Sequence, residues 1–160
     1  MKIYRNLLPK NKFLKIKNVL MSSDFSWYYN NMVNTEKDNM FQFTHNFYTD
    51  PKINSAYFNL LEPVFNTIKP LTIIRVKANL LTKNNKNIEH GFHTDYINQD
   101  KITTGILYIN TNNGYTKFKN GEVVKSEENK YVEFNSNESH TGATCTDENT
   151  RVVINFNYIK

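Results

Sequence analysis

The chain has 160 residues, 14% of them aromatic, and a formal net charge of +5 from 20 basic and 15 acidic side chains. That length suits one domain with a sizeable core, and no apolar run is long enough to be a membrane-spanning helix. The single cysteine, Cys145, excludes an internal disulfide and fits a reducing compartment, and the basic N-terminus lacks the apolar core of a secretory signal, so the expected location is the cytoplasm.

In chain order, Lys2, Arg5, Lys10, Lys12, Lys15 and Lys17 precede the first acidic residue, Asp24. A polyanion could be steered by such a run, but a solvated basic helix face explains it without a partner, and nucleic acid is not expected. From about Asn11 to Leu20, Phe13, Ile16 and Leu20 recur at helical spacing. Ser26–Val33 and Phe41–Tyr48 are aromatic and predict strands; His45 within the second is expected to be structural. Pro51 then opens an expected second helix carrying Ile53, Tyr57, Leu60, Leu61, Val64 and Phe65, with Pro63 as a kink and Pro70 as its stop.

From Leu71 onward the pattern changes to short strands: Leu71–Leu81, Glu89–Thr94, Ile102–Ile109, Tyr115–Phe118, Gly121–Val124, Tyr131–Phe134 and Val152–Tyr158. Asn-Gly pairs in Thr111–Gly114 and Lys119–Gly121 favour hairpins. The polar segment Thr82–Glu89 is either a solvated loop or part of a site mouth. A helical start followed by many short strands predicts a mostly β fold with flanking helices, a double-stranded β-helix or cupin-like jelly roll. The chain is expected to be one domain over 1–160, with 1–70 as support and 71–160 as the core that carries the site.

The chemistry is concentrated in His93-Thr94-Asp95, His140 and Arg151. Two imidazoles and one carboxylate form a set that holds non-haem Fe(II) while leaving one side open. Residues i and i+2 of an extended segment share a face, so His93 and Asp95 can reach one ion, with His140 arriving from another strand. By the same parity His90 is expected to face away. Arg151 begins the alternating run Arg-Val-Val-Ile-Asn-Phe-Asn-Tyr, and its permanently charged fork suits a carboxylate. Arg75 or Lys77 would take that role under another strand register. Cys145, between His140 and Arg151, is read as an ordinary thiol.

In these segments the chain resembles the Fe(II)- and 2-oxoglutarate-dependent dioxygenases, specifically the prolyl 4-hydroxylase-like branch and its small phage and bacterial members. The matching segments are Phe92–Asp95, Thr103–Asn110, Gly114–Phe118, and His140 followed by Arg151. The resemblance implies that His93, Asp95 and His140 ligate Fe(II), that Arg151 binds the distal carboxylate of 2-oxoglutarate with Tyr108 donating to it, and that Asn79 lies near the other end of the cosubstrate. It implies O2-dependent decarboxylation of 2-oxoglutarate to succinate and CO2, coupled to hydroxylation of an unactivated C–H bond, with ascorbate as a further cofactor. Asp95 directs this toward hydroxylation, because halogenating members lack that carboxylate. The expected substrate is a protein or peptide residue such as proline; a free amino acid or small metabolite is the alternative. A virus-infected bacterial cell is one setting for such a chain.

Readings of other kinds stay open. Nucleic-acid demethylases with this triad carry a second arginine six residues after the first, where this chain has Asn157. A non-oxidative cupin-like metal-binding module needs no arginine after the third ligand, and metal-assisted hydrolysis would suit zinc on similar ligands. Substrate identity, oligomeric state and source are not legible.

Overall fold

The computed structural model describes residues 1–34 and 40–160. Three long strands organise it: β5 (Thr72–Thr82), β6 (Ile102–Tyr108) and β11 (Thr150–Ile159), with β11 between the other two. Each alternates with period two. On β11, Val152, Ile154, Phe156 and Tyr158 face one way into the main core, while Arg151, Val153 and Asn155 face a cavity. On β5, Val76 and Ala78 join that core, and Arg75, Lys77, Asn79 and Leu81 line the cavity. The alternating pattern therefore assigns one face to packing and the other to a site.

The remaining strands are β1 (Lys2–Tyr4), β2 (Tyr28–Asn30), β3 (Gln42–Thr49), β4 (Lys52–Ile53), β7 (Tyr115–Phe118), β8 (Val123–Lys125), β9 (Tyr131–Asn135) and β10 (His140–Gly142). The large antiparallel sheet runs β1-β9-β6-β11-β5-β3-β2, with β4 paired to β3, and a small sheet runs β10-β7-β8. Helices α1 (Lys10–Leu20) and α2 (Glu62–Ile68) cover the outer face of the large sheet through Phe13, Ile16, Leu20, Val64 and Ile68. Burying each such side chain stabilises by about 1.5–3 kcal/mol. The inner face meets the small sheet through a second core of Ile106, Tyr108, Phe118, Val124, Val132, Phe134 and Val153. This is the expected jelly roll with helices along one side.

Several local expectations are corrected. Pro51 does not open a helix: the Asp50–Pro51 peptide is cis and leads into β4, with Ile53 exposed. Helical structure begins only with a 3-10 turn at Phe58–Leu61, and Pro63 lies in the first turn of α2, where its missing N–H costs no helical hydrogen bond. Strand Ser26–Val33 shrinks to β2, and Glu89–Thr94 forms only isolated bridges, Glu89 to Ala143 and His93 to His140. Gly91 between them has φ +82°, which breaks the strand parity on which the orientation of His90 was expected. The Lys119–Gly121 turn does close the β7–β8 hairpin. Thr111–Gly114, in contrast, carries the chain from the large sheet to the small one, because β6 and β7 do not pair. β1, too short to carry a pattern, was not foreseen.

Candidate metal and cosubstrate site

His93, Asp95 and His140 come together at one end of the gap between the sheets, with donor atoms within 4.8 Å of one another. The His93–His140 bridge forces this, since paired backbones place both rings 4.5 Å apart between centroids. Burial, reinforced by the neighbouring His140 ring and opposed by Asp95, pushes the His93 pKa down to about 4. The ring is therefore neutral at neutral pH, the form that ligates metal. The Nδ1 of His140 lies 3.0 Å from the Glu138 carbonyl. A proton held on that nitrogen leaves Nε2 with its lone pair, the arrangement common around metal-bound histidines.

Asp95 is buried, which alone would raise its pKa, but His140, hydrogen bonds from Thr104 and Asn157, and the Arg75 guanidinium outweigh burial and keep it below the usual value. Thr104 Oγ1 donates to Asp95 Oδ2 at 2.7 Å, and Asn157 Nδ2 donates to the same oxygen at 2.9 Å. Arg75 donates its Nε to Asn157 Oδ1 at 3.0 Å and stands 3.5 Å from Asp95 Oδ1. Arg75 is thus the holder of the carboxylate rather than a substitute for Arg151.

Arg151 lies at the other end of the same cavity, 4% exposed, and has no carboxylate partner among the described residues. Its Nε donates to Ser126 Oγ at 2.8 Å and its terminal nitrogen to Thr116 Oγ1 at 3.1 Å. A fully buried guanidinium with only hydroxyl partners bears a desolvation cost that an anion would relieve, and burial correspondingly lowers its pKa. The donor set fits a divalent metal, and the uncompensated cation fits a carboxylate in the same cavity.

Tyr108 stands differently from expectation. Its ring lies under the guanidinium, 5.7 Å from ring centre to Arg151 Cζ, and its hydroxyl donates to Thr116 Oγ1 at 2.8 Å. Thr116 accepts from both Tyr108 and Arg151 and itself lines the cavity, so the threonine O–H, not the tyrosine, is left to donate inward. Thr116 and Ser126 were missed; Thr116 lay within a matched segment as an ordinary strand residue. Asn79 does line the cavity, with Oδ1 buried and unpartnered, as does Asn155. His90 lines it as well, contrary to parity, while His45 is structural, held by Ser26 and Ser55 on the opposite face of the large sheet. Cys145 is buried and donates to the Glu148 carbonyl, with its pKa raised by burial, as befits an inert thiol.

No family model and no curated protein matches the sequence. Solved structures do. A 2OG-Fe(II) oxygenase family oxidoreductase from Burkholderia pseudomallei matches with TM-score 0.73 at 13% identity, over 97% of this chain and 82% of that one. A prolyl hydroxylase from Trichoplax adhaerens, solved with a hypoxia inducible factor peptide fragment, matches with TM-score 0.66 at 14% identity, over 99% and 82%. The alpha ketoglutarate dependent epimerase SnoN of nogalamycin biosynthesis matches with TM-score 0.68 at 13% identity, over 99% and 75%. At such identities the likeness is one of fold, and the chain has the double-stranded β-helix fold of the 2-oxoglutarate/Fe(II) oxygenases, prolyl hydroxylases among them.

Proposed function

We propose that the protein is an Fe(II)- and 2-oxoglutarate-dependent dioxygenase that hydroxylates an unactivated C–H bond, most simply of a protein or peptide residue such as proline. The carrying observation is that a His-Asp-His donor set and a buried arginine without a carboxylate partner line one cavity. A non-oxidative metal-binding module has no use for that arginine. His93, Asp95 and His140 would hold the metal, and Arg151 the distal carboxylate of 2-oxoglutarate. With O2, the bound pair supplies the oxidation, yielding succinate, CO2 and a hydroxylated product.

Each protein group then has a physical task. Thr104 and Asn157 hold Oδ2 of the Asp95 carboxylate and Arg75 stands beside Oδ1, the oxygen nearer His93. Ser126, Thr116 and the Tyr108 ring fix the guanidinium before any ligand arrives, which lowers the cost of ordering it on binding. Ile106 and Val153, apolar and between the two ends, keep water from the cosubstrate chain. A free amino acid or small metabolite is the second reading, favoured by the likeness to the alpha ketoglutarate dependent epimerase of nogalamycin biosynthesis.

The test is anaerobic addition of Fe(II) and 2-oxoglutarate, watching for the visible charge-transfer band of the chelate. The band is expected in the native protein, absent in His93→Ala and weakened in Arg151→Ala. Well-folded native protein with no band overturns the reading in favour of a non-oxidative jelly roll.

A further inference from the structure

Of the three cations that line the cavity, Arg75, Lys77 and Arg151, the proposed chemistry leaves Lys77 unused. Lys77 lines it, half-buried, and its ammonium has no hydrogen bond or ion pair among the described residues. Its cross-strand neighbour Asn155 also lines the cavity, with a buried Oδ1 that has no partner. A lysine drawn from water without a partner bears a desolvation cost, and a bound anion would relieve it.

Strand register separates this cation from Arg151. β5 and β11 pair Leu81 with Arg151, Asn79 with Val153, Lys77 with Asn155, and Arg75 with Asn157. Same-face residues rise roughly 7 Å per pair of positions, so Lys77 stands roughly 13 Å along the sheet from the Arg151 level. It stands only roughly 7 Å from the Arg75–Asn157 level, where Asp95 is held. The electrostatics agree: Lys77 is repelled by Arg75 and attracted by Asp95. Arg151 and Lys77 therefore stand at different levels of the cavity, with Lys77 the nearer of the two to Asp95. Laterally, the small sheet covers β6 and β11 through the inner core, whereas the β3 partner of Lys77, Asn46, is exposed. Lys77 thus stands near Asp95 on the flank of the cavity that the small sheet does not cover.

We propose that Lys77 is a substrate-specificity residue whose ammonium binds a carboxylate of the substrate, so that the reacting carbon belongs to a carboxylate-bearing molecule, either an acidic residue of a peptide or a free amino acid. This rests on the oxygenase reading and replaces its leading substrate, a proline within a peptide, with a carboxylate-bearing residue or free amino acid. Hydroxylation next to such an anchor places the reacting C–H within a few bonds of the carboxylate.

The test is calorimetric titration of the Zn(II)-loaded protein, with 2-oxoglutarate present, using matched pairs: Ac-Ala-Asp-Ala-NH2 against Ac-Ala-Asn-Ala-NH2, and L-proline against L-prolinamide. In at least one pair the carboxylate is expected to bind at least about tenfold tighter than the amide, the scale of one charge-assisted hydrogen bond. That preference should vanish in Lys77→Met and survive in Lys77→Arg, while 2-oxoglutarate affinity changes less than about twofold. Whichever pair shows it identifies the source. Equal binding of carboxylate and amide in both pairs overturns the proposal, as does a Lys77→Met variant that loses 2-oxoglutarate as Arg151→Ala does, since Lys77 would then serve the cosubstrate. A native protein that fails to bind 2-oxoglutarate sinks the oxygenase reading instead; the matched pairs, titrated without it, still report on Lys77.

Discussion

At Arg151 binding and stability pull in opposite directions. The guanidinium is buried against two hydroxyls and an aromatic ring, with no anion among the described residues to offset its desolvation. Replacing an uncompensated buried cation with an apolar side chain of similar length removes that cost, so Arg151→Met should leave the ligand-free protein as stable as the native one or raise its stability by about 1 kcal/mol. The same change should weaken 2-oxoglutarate binding by about a hundredfold or more, because a buried charge-assisted pair is lost. Thermal unfolding and calorimetry on one sample check both, and a clear fall in stability without ligand would contradict the argument. Residue chemistry of this kind was partly legible in sequence. That His93, Asp95, His140 and Arg151 come together could be anticipated from the i, i+2 spacing of the first two and the alternating strand that Arg151 begins. Thr116 and Ser126 could not, since a hydroxyl that orients an arginine looks like any other hydroxyl until the strands are paired. His90 went astray because a glycine with φ +82° reset the parity.

Two glycines set the spacing between elements. Gly114, at the crossing from the large to the small sheet, has no side chain because a Cβ there would stand 2.6 Å from Arg151 Cδ and 3.0 Å from the Ala143 carbonyl oxygen. Gly114→Ala should push the arginine stem off its hydroxyl partners and weaken 2-oxoglutarate binding by about tenfold, with the metal-dependent rise in melting temperature retained. Gly105 on β6 makes room for Tyr131 of β9, whose ring and hydroxyl an added Cβ would overlap. That hydroxyl is tied to Tyr158 at 3.2 Å, so the ring cannot simply swing away, and Gly105→Ala should destabilise by about 2 kcal/mol in denaturant unfolding. The long strands were readable from their alternation, and their boundaries fell within a residue or two on β5 and β11. The short elements were not. β1 and β10 have three residues each and derive their strand character from partners remote in sequence, β9 and β7 respectively. The stretch after Pro51 has helical spacing in its apolar residues, but Ile53 pairs with Tyr48 in a hairpin, and tertiary pairing overrode the pattern.

For the molecule as a whole, stability is linked to protons and, on the proposed reading, to metal. Glu133 binds the C-terminal edge together: it accepts from Tyr4, Tyr158 and Lys160, and although burial raises its pKa, the hydrogen bonds from Lys160, Tyr4 and Tyr158 bring it below the usual value. A depressed carboxylate contributes stability that is fully present above its unfolded pKa of about 4.3 and is lost as pH falls through the lower folded value. Glu133→Gln should therefore cost about 1–2 kcal/mol at neutral pH and progressively less under acid conditions, where the two proteins converge. Metal acts on the opposite face of the same sheet, where Thr104 and Asn157 hold Asp95. A divalent ion that binds the folded donor set and not the unfolded chain stabilises by about 2.7 kcal/mol at a hundredfold excess over its Kd, which for a domain of this size raises the melting temperature by about 5–10 °C. Addition of Zn(II) or Mn(II) should produce that shift in native protein and in Arg151→Met, chelator should reverse it, and His140→Ala should abolish it. If the proposed site is right, 2-oxoglutarate should then add a second shift in native protein only with metal present, and none in Arg151→Met, since its two ends would engage groups that line one cavity. Shifts of equal size for 2-oxoglutarate with and without metal would mean that the two ends do not act on one ligand, and the cavity would have to be read as two separate sites.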